Sequence, residues 1–133
     1  MAGFVYGENC ILIDKFSHFK EDKNIGNPYN TSFDLIIKSN GFSGCAHCEC
    51  DIDSLCLFIN QLEELYAFEL NNAEFNDICY GSRIQFLMDG GGHIEVMGDI
   101  FSERKEQCLK FVFSADQTAL KSFINELKQL AEV

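Results

Sequence analysis

A helix-like pattern occurs twice in the chain at an offset of 65 residues, and this repeat restricts the available folds. Apolar residues recur at the three- and four-residue spacing that forms one stripe along a helix. The pattern predicts helices over residues 53–66 and 116–131, with Asp51 or Asp53 capping the first and Asp116 the second. Duplication and convergence both explain the match between Leu55-x-x-Phe58-Ile59-Asn60-x-Leu62-x-x-Leu65 and Leu120-x-x-Phe123-Ile124-Asn125-x-Leu127-x-x-Leu130.

Three segments with the alternating apolar pattern of β-strands precede each predicted helix. In the first of them, Ile11 and Ile13 face one way and Leu12 and Phe16 the other. Asn40-Gly41 and the Asp89 to Gly92 segment are hairpin signals. The predicted strands are Cys10–Phe19, Ser32–Lys38, Phe42–Cys50, Arg83–Met88, His93–Asp99 and Cys108–Phe113.

We therefore expect an α+β fold with a mainly antiparallel sheet and two helices covering apolar faces. A length of 133 residues suits one domain, here read as two βββα halves over residues 1–67 and 68–133. An apolar content of 47%, with 13 Phe, can fill a core and argues against intrinsic disorder.

The seven cysteines predict reduced, structural thiols in a cytoplasmic protein, because their number is odd and no signal peptide is visible. Strand alternation places Cys45 and His47 on one face and Cys48 and Cys50 on the other. Since metal ligands must converge on one point, this segment is not expected to bind a metal.

The formal net charge of -11 argues against direct binding of nucleic acid and favours a basic partner. The charge is uneven, because residues 39–82 hold eight acids and no Lys or Arg. A solvated acidic face is the alternative to a surface that steers a partner. No apolar run approaches the roughly 18 residues of a membrane helix.

Leu57 lies in the middle of the polar face of the first predicted helix, whereas the corresponding face of the second helix is polar throughout. Coverage by another part of the chain, a lone exposed apolar residue and a partner-binding anchor are all open explanations, and the partner could be a second copy. Charge and position together give a candidate partner surface of Leu57, Gln61, Glu63, Glu64, Glu69, Glu74 and Asp77.

No constellation of catalytic residues emerges from the sequence. Gly90 to Gly92 is not followed by the Gly-Lys-Ser/Thr of a phosphate-binding loop, and Ser43 lacks the nucleophile-elbow pattern. His93 and Glu95 share a strand face without a nucleophile nearby. We therefore expect no enzymatic activity, no metal and no cofactor.

Three segments together resemble bacterial immunity proteins of polymorphic-toxin and contact-dependent inhibition systems, of the WapI type. They are Gly41-Phe42-Ser43-Gly44, the Gly92 to Gly98 segment, and Phe113-Ser114-Ala115-Asp116-Gln117-Thr118-Ala119-Leu120. The motifs are structural, and the resemblance extends from about residue 33 onward.

The resemblance implies a cytoplasmic, non-enzymatic inhibitor that binds a cognate toxin domain and blocks its active site or substrate entry. Many such toxins are nucleases with basic channels, which an acidic inhibitor can occupy. A small-molecule-binding regulatory module, with a ligand between the two βββα halves, is the alternative. Whether the chain is a monomer or a homodimer stays open.

Overall fold

Eight strands form two separate antiparallel sheets in the computed structural model, which describes residues 1–132. Within each sheet every strand pairs with its neighbour in sequence, so both sheets are simple meanders. The first sheet, sheet A, contains β1 (Ala2–Tyr6), β2 (Asn9–His18), β3 (Thr31–Ser39) and β4 (Phe42–Cys50), and the second, sheet B, contains β5 (Asn72–Asn76), β6 (Arg83–Met88), β7 (His93–Phe101) and β8 (Cys108–Asp116).

Three α-helices complete the fold, and the two longer ones confirm the predicted helices. They are α1 (Lys20–Asn24), α2 (Ile52–Tyr66) and α3 (Leu120–Ala131). Asp51 caps α2 by accepting a hydrogen bond from the Asp53 backbone, and Asp116 caps a 3₁₀ turn that leads into α3. Within residues 1–132, no helix combines the length and the apolar character that a bilayer crossing requires.

The α+β class is confirmed, but each half contains four strands before its long helix rather than three. The prediction missed β1 and β5, which have five residues each; the alternation of β5 rests on Ala73 and Phe75 alone, and that of β1 does not extend to its exposed last two residues. It also missed α1, which buries none of its residues and so has no apolar stripe.

A β-bulge corrects the predicted orientation of one residue in β2. The register with β3 shifts between Asp14 and Ser17, and Lys15 adopts a positive φ of 54°. An extra residue in one strand reverses the alternation beyond it. Phe16 therefore packs against the core that Ile11 and Ile13 enter, instead of facing away with Leu12.

The interior where the two halves meet is filled with phenylalanine rings. Phe4 on β1 lies 5.1 Å from Phe86 and 6.0 Å from Phe123, measured between ring centroids. Phe58 on α2 lies 5.8 Å from Phe75 on β5. These rings belong to one cluster of buried apolar residues that includes elements of both halves.

Each long helix binds the outer edge of the first strand of the other half through a side-chain hydrogen bond. Gln61 Oε1 on α2 accepts a hydrogen bond from the Glu74 backbone N–H at 3.1 Å, and Glu126 Oε1 on α3 accepts one from Gly3 N–H at 3.1 Å. Gln61 and Glu126 occupy matching positions at the 65-residue offset. A second matching pair, Glu63 and Lys128, forms an ion pair between the helices at 2.9 Å.

Candidate partner-binding surface

The outward faces of α2 and α3 differ although their buried stripes match. Leu57 on α2 is 59% exposed, while the matching residue on α3 is the exposed Ser122. Glu64, also exposed, matches the uncharged Gln129. Because both helices have the same packing role, the apolar and acidic side chains on α2 are not required by the fold.

The end of α2 carries a strained, exposed aromatic residue that the sequence interpretation missed. Phe68 has a left-handed backbone with a φ of 60°, and its side chain is 51% exposed. The Glu69 N–H donates to Glu64 O at 2.8 Å, which closes the helix end in the way that usually places glycine at this position. A bulky residue here costs stability and is therefore a candidate for a functional role.

Exposed apolar side chains continue on either side of Phe68. Tyr66 is 38% exposed and Leu70 is 40% exposed. Gln61 and Glu64 lie on the same side of α2 as Leu57, whereas Tyr66 lies half a turn around the helix from it. We define the α2 surface as the outward residues of α2 and the exposed residues of the turn that follows it: Leu57, Gln61, Glu64, Phe68, Glu69 and Leu70.

Bases from outside the acidic segment neutralise several of its carboxylates. Lys128 pairs with Glu63, and Arg83 pairs with Glu74 at 3.3 Å. Glu64 and Glu69, in contrast, are exposed and have no ion-pair partner within residues 1–132. Glu64 and Glu69 are therefore the exposed acids of this region that no base within residues 1–132 neutralises.

Lys23 on α1 pairs with two further acids at the beginning of α2. Its Nζ lies 3.1 Å from Asp51 Oδ1 and 2.5 Å from Asp53 Oδ2. The Asp53 backbone N–H and Lys23 lower the pKa of Asp51, and the two carboxylates raise the pKa of Lys23.

Asp77 from the predicted set lies inside the protein and has a structural role. It is only 4% exposed. Its carboxylate accepts hydrogen bonds from the backbone N–H groups of Glu49 at 2.7 Å, Cys79 at 3.0 Å and Tyr80 at 2.9 Å. These bonds hold the β5–β6 loop against β4, so Asp77 is not available to a partner.

Gln61 and Glu74 are only partly available, because contacts within the chain hold both. The Gln61 side chain receives the Glu74 backbone N–H, and the Glu74 carboxylate pairs with Arg83. Of the seven predicted residues, Leu57, Glu64 and Glu69 are the ones that the structure leaves exposed and unpaired.

The predicted cysteine faces are confirmed. Cys48 and Cys50 are buried with the core, whereas Cys45 and His47 face outward. Burial raises the pKa of Cys50 to about 12 and that of Cys48 well above its usual value. Burial and the Asp34 charge raise the pKa of the exposed Cys45 as well, which is the opposite of the activation that a nucleophilic thiol needs.

On the exposed side of sheet A, His47 lies between two carboxylates. Its Nδ1 lies 3.4 Å from Asp34 Oδ1 and its Nε2 lies 3.5 Å from Glu49 Oε1. Among the described residues, 1–132, no group of three or more His, Cys, Asp or Glu side chains is arranged to hold a metal ion.

Comparison with protein families gives a match over residues 14–133 to the family described as "Immunity protein WapI-like family". The chain belongs to this family. The match covers all elements from the middle of β2 onward and confirms the resemblance found in the sequence. Membership associates the protein with toxin neutralisation, and immunity proteins are generally non-catalytic.

No curated protein matches the chain significantly. Among solved structures, that of Trypanosoma brucei MRP1/MRP2 matches with 6% sequence identity and a TM-score of 0.43. The match covers 92% of this chain and 82% of the other. At this TM-score the similarity supports no conclusion about fold or function.

Proposed function

We propose that this protein is a non-enzymatic immunity protein that binds a cognate bacterial toxin domain through the α2 surface. The observation that carries the proposal is the contrast between α2 and α3. Two helices with the same buried stripe differ outside it, and only α2 presents an exposed leucine and a strained, exposed phenylalanine. Family membership supplies the class of partner.

The α2 surface has the composition of a binding site for a basic, partly apolar protein surface. Leu57 and Phe68 offer apolar anchors, and Glu64 and Glu69 are free to pair with Lys or Arg of the partner. Buried apolar anchors supply most of the affinity of an interface, while charges at its edge mainly raise the association rate. A nuclease with a basic substrate channel meets this description.

The rigid attachment of α2 also favours inhibition by direct obstruction of the toxin's substrate channel. A helix of 15 residues spans about 22 Å, which is enough to cross the opening of a substrate channel. The buried side of α2 contacts both the β5 strand and α3, so the helix is fixed before binding. A preformed surface loses little conformational entropy when it binds.

The proposed site of action is the cytoplasm. The seven cysteines are all free thiols, and several are exposed or half-buried. Free exposed thiols persist in a reducing compartment and are oxidised elsewhere.

The test is protection by the chain against the toxin domain encoded beside its own gene. The toxin domain is expressed with and without the chain, and the purified pair is studied by titration calorimetry. We expect cell survival only with the chain, and a stable complex that has lost the toxin activity. Death of cells that express both proteins, together with no measurable binding, would refute the proposal.

A further inference from the structure

The connection between β2 and β3 displays three large apolar side chains to solvent. Ile25 is 80% exposed, Phe19 is 48% exposed and Tyr29 is 47% exposed. The connection contains α1, a helix with no buried residue. The packing of this segment against the core therefore does not explain its shape or its apolar content.

Polar contacts hold the connection in place at both ends. The Phe19 N–H donates to Asn30 O at 2.8 Å and so joins the two ends of the segment. Asn30 is fully buried, and its Oδ1 accepts from the Ile52 N–H at 2.9 Å. The Asn30 amide also donates to Asn27 O at 2.8 Å. The segment is thus a preformed loop attached to the first residue of α2.

Lys23 fixes the middle of the loop beside the α2 surface. Its two ion pairs reach Asp51 and Asp53 in the first turn of α2. Asp53 lies one turn before Leu57 on the same side of the helix. The ion pairs of Lys23 therefore hold the loop at the beginning of α2, one helical turn from Leu57.

We propose that residues 19–29 form a second arm of the toxin-binding surface and that Lys23 is the positioning residue of this arm. This inference rests on the proposed function. The occupant is the same basic toxin domain, because the arm adjoins the acidic α2 and its unpaired charges within residues 1–132, Glu21 and Asp22 against Lys20, leave one net negative charge. Ile25 and Tyr29 supply apolar contacts at the beginning of α2, and Phe68 supplies them at its end.

The test measures association and dissociation rates of the purified toxin domain with a series of full-length variants. Ile25→Ser/Tyr29→Ser removes the apolar contacts of the arm, and Lys23→Met breaks both ion pairs. Lys23→Arg keeps a cation that can pair with both carboxylates. Phe42→Ser is the matched control, because Phe42 is 71% exposed on the β3–β4 hairpin, outside both arms.

We expect Ile25→Ser/Tyr29→Ser to raise the Kd at least tenfold, mainly through faster dissociation, with the unfolding temperature unchanged. Lys23→Met raises the Kd and speeds amide exchange in residues 20–27 of the free protein, Lys23→Arg restores both, and Phe42→Ser changes neither. If the loop variants bind with wild-type affinity and Leu57→Ser binds more weakly, the second arm is refuted and the proposed function is not. No binding by the wild-type chain would refute the proposed function and the arm with it.

Discussion

Phe68 combines a left-handed backbone, an aromatic ring and exposure of half of its surface. Each property alone is unremarkable, but a glycine or asparagine would end α2 at lower cost. A residue that opposes the preference of its own position indicates selection for something other than stability. Leu57 gives the same indication by its position on a polar helix face.

Replacement of Phe68 distinguishes its effect on stability from its effect on toxin binding. Phe68→Gly relieves about 1 kcal/mol of backbone strain and removes a half-buried ring of comparable value. We therefore expect the free energy of unfolding in urea to change by less than about 1 kcal/mol, while toxin affinity falls about tenfold or more. An unchanged affinity would show that Phe68 does not contact the toxin.

Sequence reasoning located Leu57 but could not distinguish free acids from engaged ones. Leu57 was recognisable because helical spacing alone defines the side of α2 on which it lies. Asp77 accepts hydrogen bonds from backbone N–H groups of β4 and of the β5–β6 loop, and no local sequence pattern encodes these contacts. Phe68 lies beyond the predicted end of the helix, where helical spacing no longer indicates which side chains face outward.

Individual elements were predictable in proportion to their length and regularity. The predicted bounds of β4 and β6 agree with the structure because their flanking turns are strongly marked, and α2 begins one residue earlier than predicted. The five-residue strands β1 and β5 were not predicted because each offers only two inward-facing apolar residues, and pairing with the neighbouring strand establishes them. The bulge in β2 arises from pairing with β3 and reverses an orientation that alternation predicts.

The two helix-capping aspartates predict a specific dependence of stability on pH. Hydrogen bonds from Asp53 N–H and Lys23 lower the pKa of Asp51, and those from Thr118 lower the pKa of Asp116. A carboxyl whose pKa is lower in the folded state stabilises the fold above its unfolded pKa of about 3.9. This contribution is lost as the pH falls through the folded-state pKa.

The double variant Asp51→Asn/Asp116→Asn isolates this contribution, because asparagine still caps helices but carries no charge. We expect its unfolding temperature to fall less than that of the wild type between about pH 5 and pH 2. Thermal unfolding followed by circular dichroism gives the comparison. Parallel curves for the two proteins would contradict the assigned role of the carboxylates.

The whole molecule is held together by reciprocal contacts between its halves. α2 covers the edge of β5 and α3 covers the edge of β1, and the bonds that do so come from matching positions. The predicted single domain and the predicted duplication are both compatible with this exchange. A common origin of the halves stays a prediction.

Because each half covers the first strand of the other with its own long helix, we predict that neither half folds alone. Fragments 1–67 and 68–133 each lose the helix that covers the first strand of their sheet, together with half of the aromatic core. We expect both fragments to show disordered circular dichroism spectra separately and to regain structure when mixed. Cooperative thermal unfolding of either isolated fragment would contradict the interlocked arrangement.

The proposed function depends on the outer side of α2. The residues at the matching positions of α3 are suitable substitutes for those on α2. The variant Leu57→Ser/Glu64→Gln gives α2 the residues that α3 has at the same positions. Ser122→Ala/Gln129→Ala changes the corresponding positions of α3 and is the control.

The decisive experiment measures the Kd of the cognate toxin domain for both variants and for the wild type. We predict that the α2 variant binds about 100-fold more weakly, that its unfolding free energy changes by less than about 1 kcal/mol, and that the α3 control binds as the wild type does. A Kd of the α2 variant equal to that of the wild type would contradict the account.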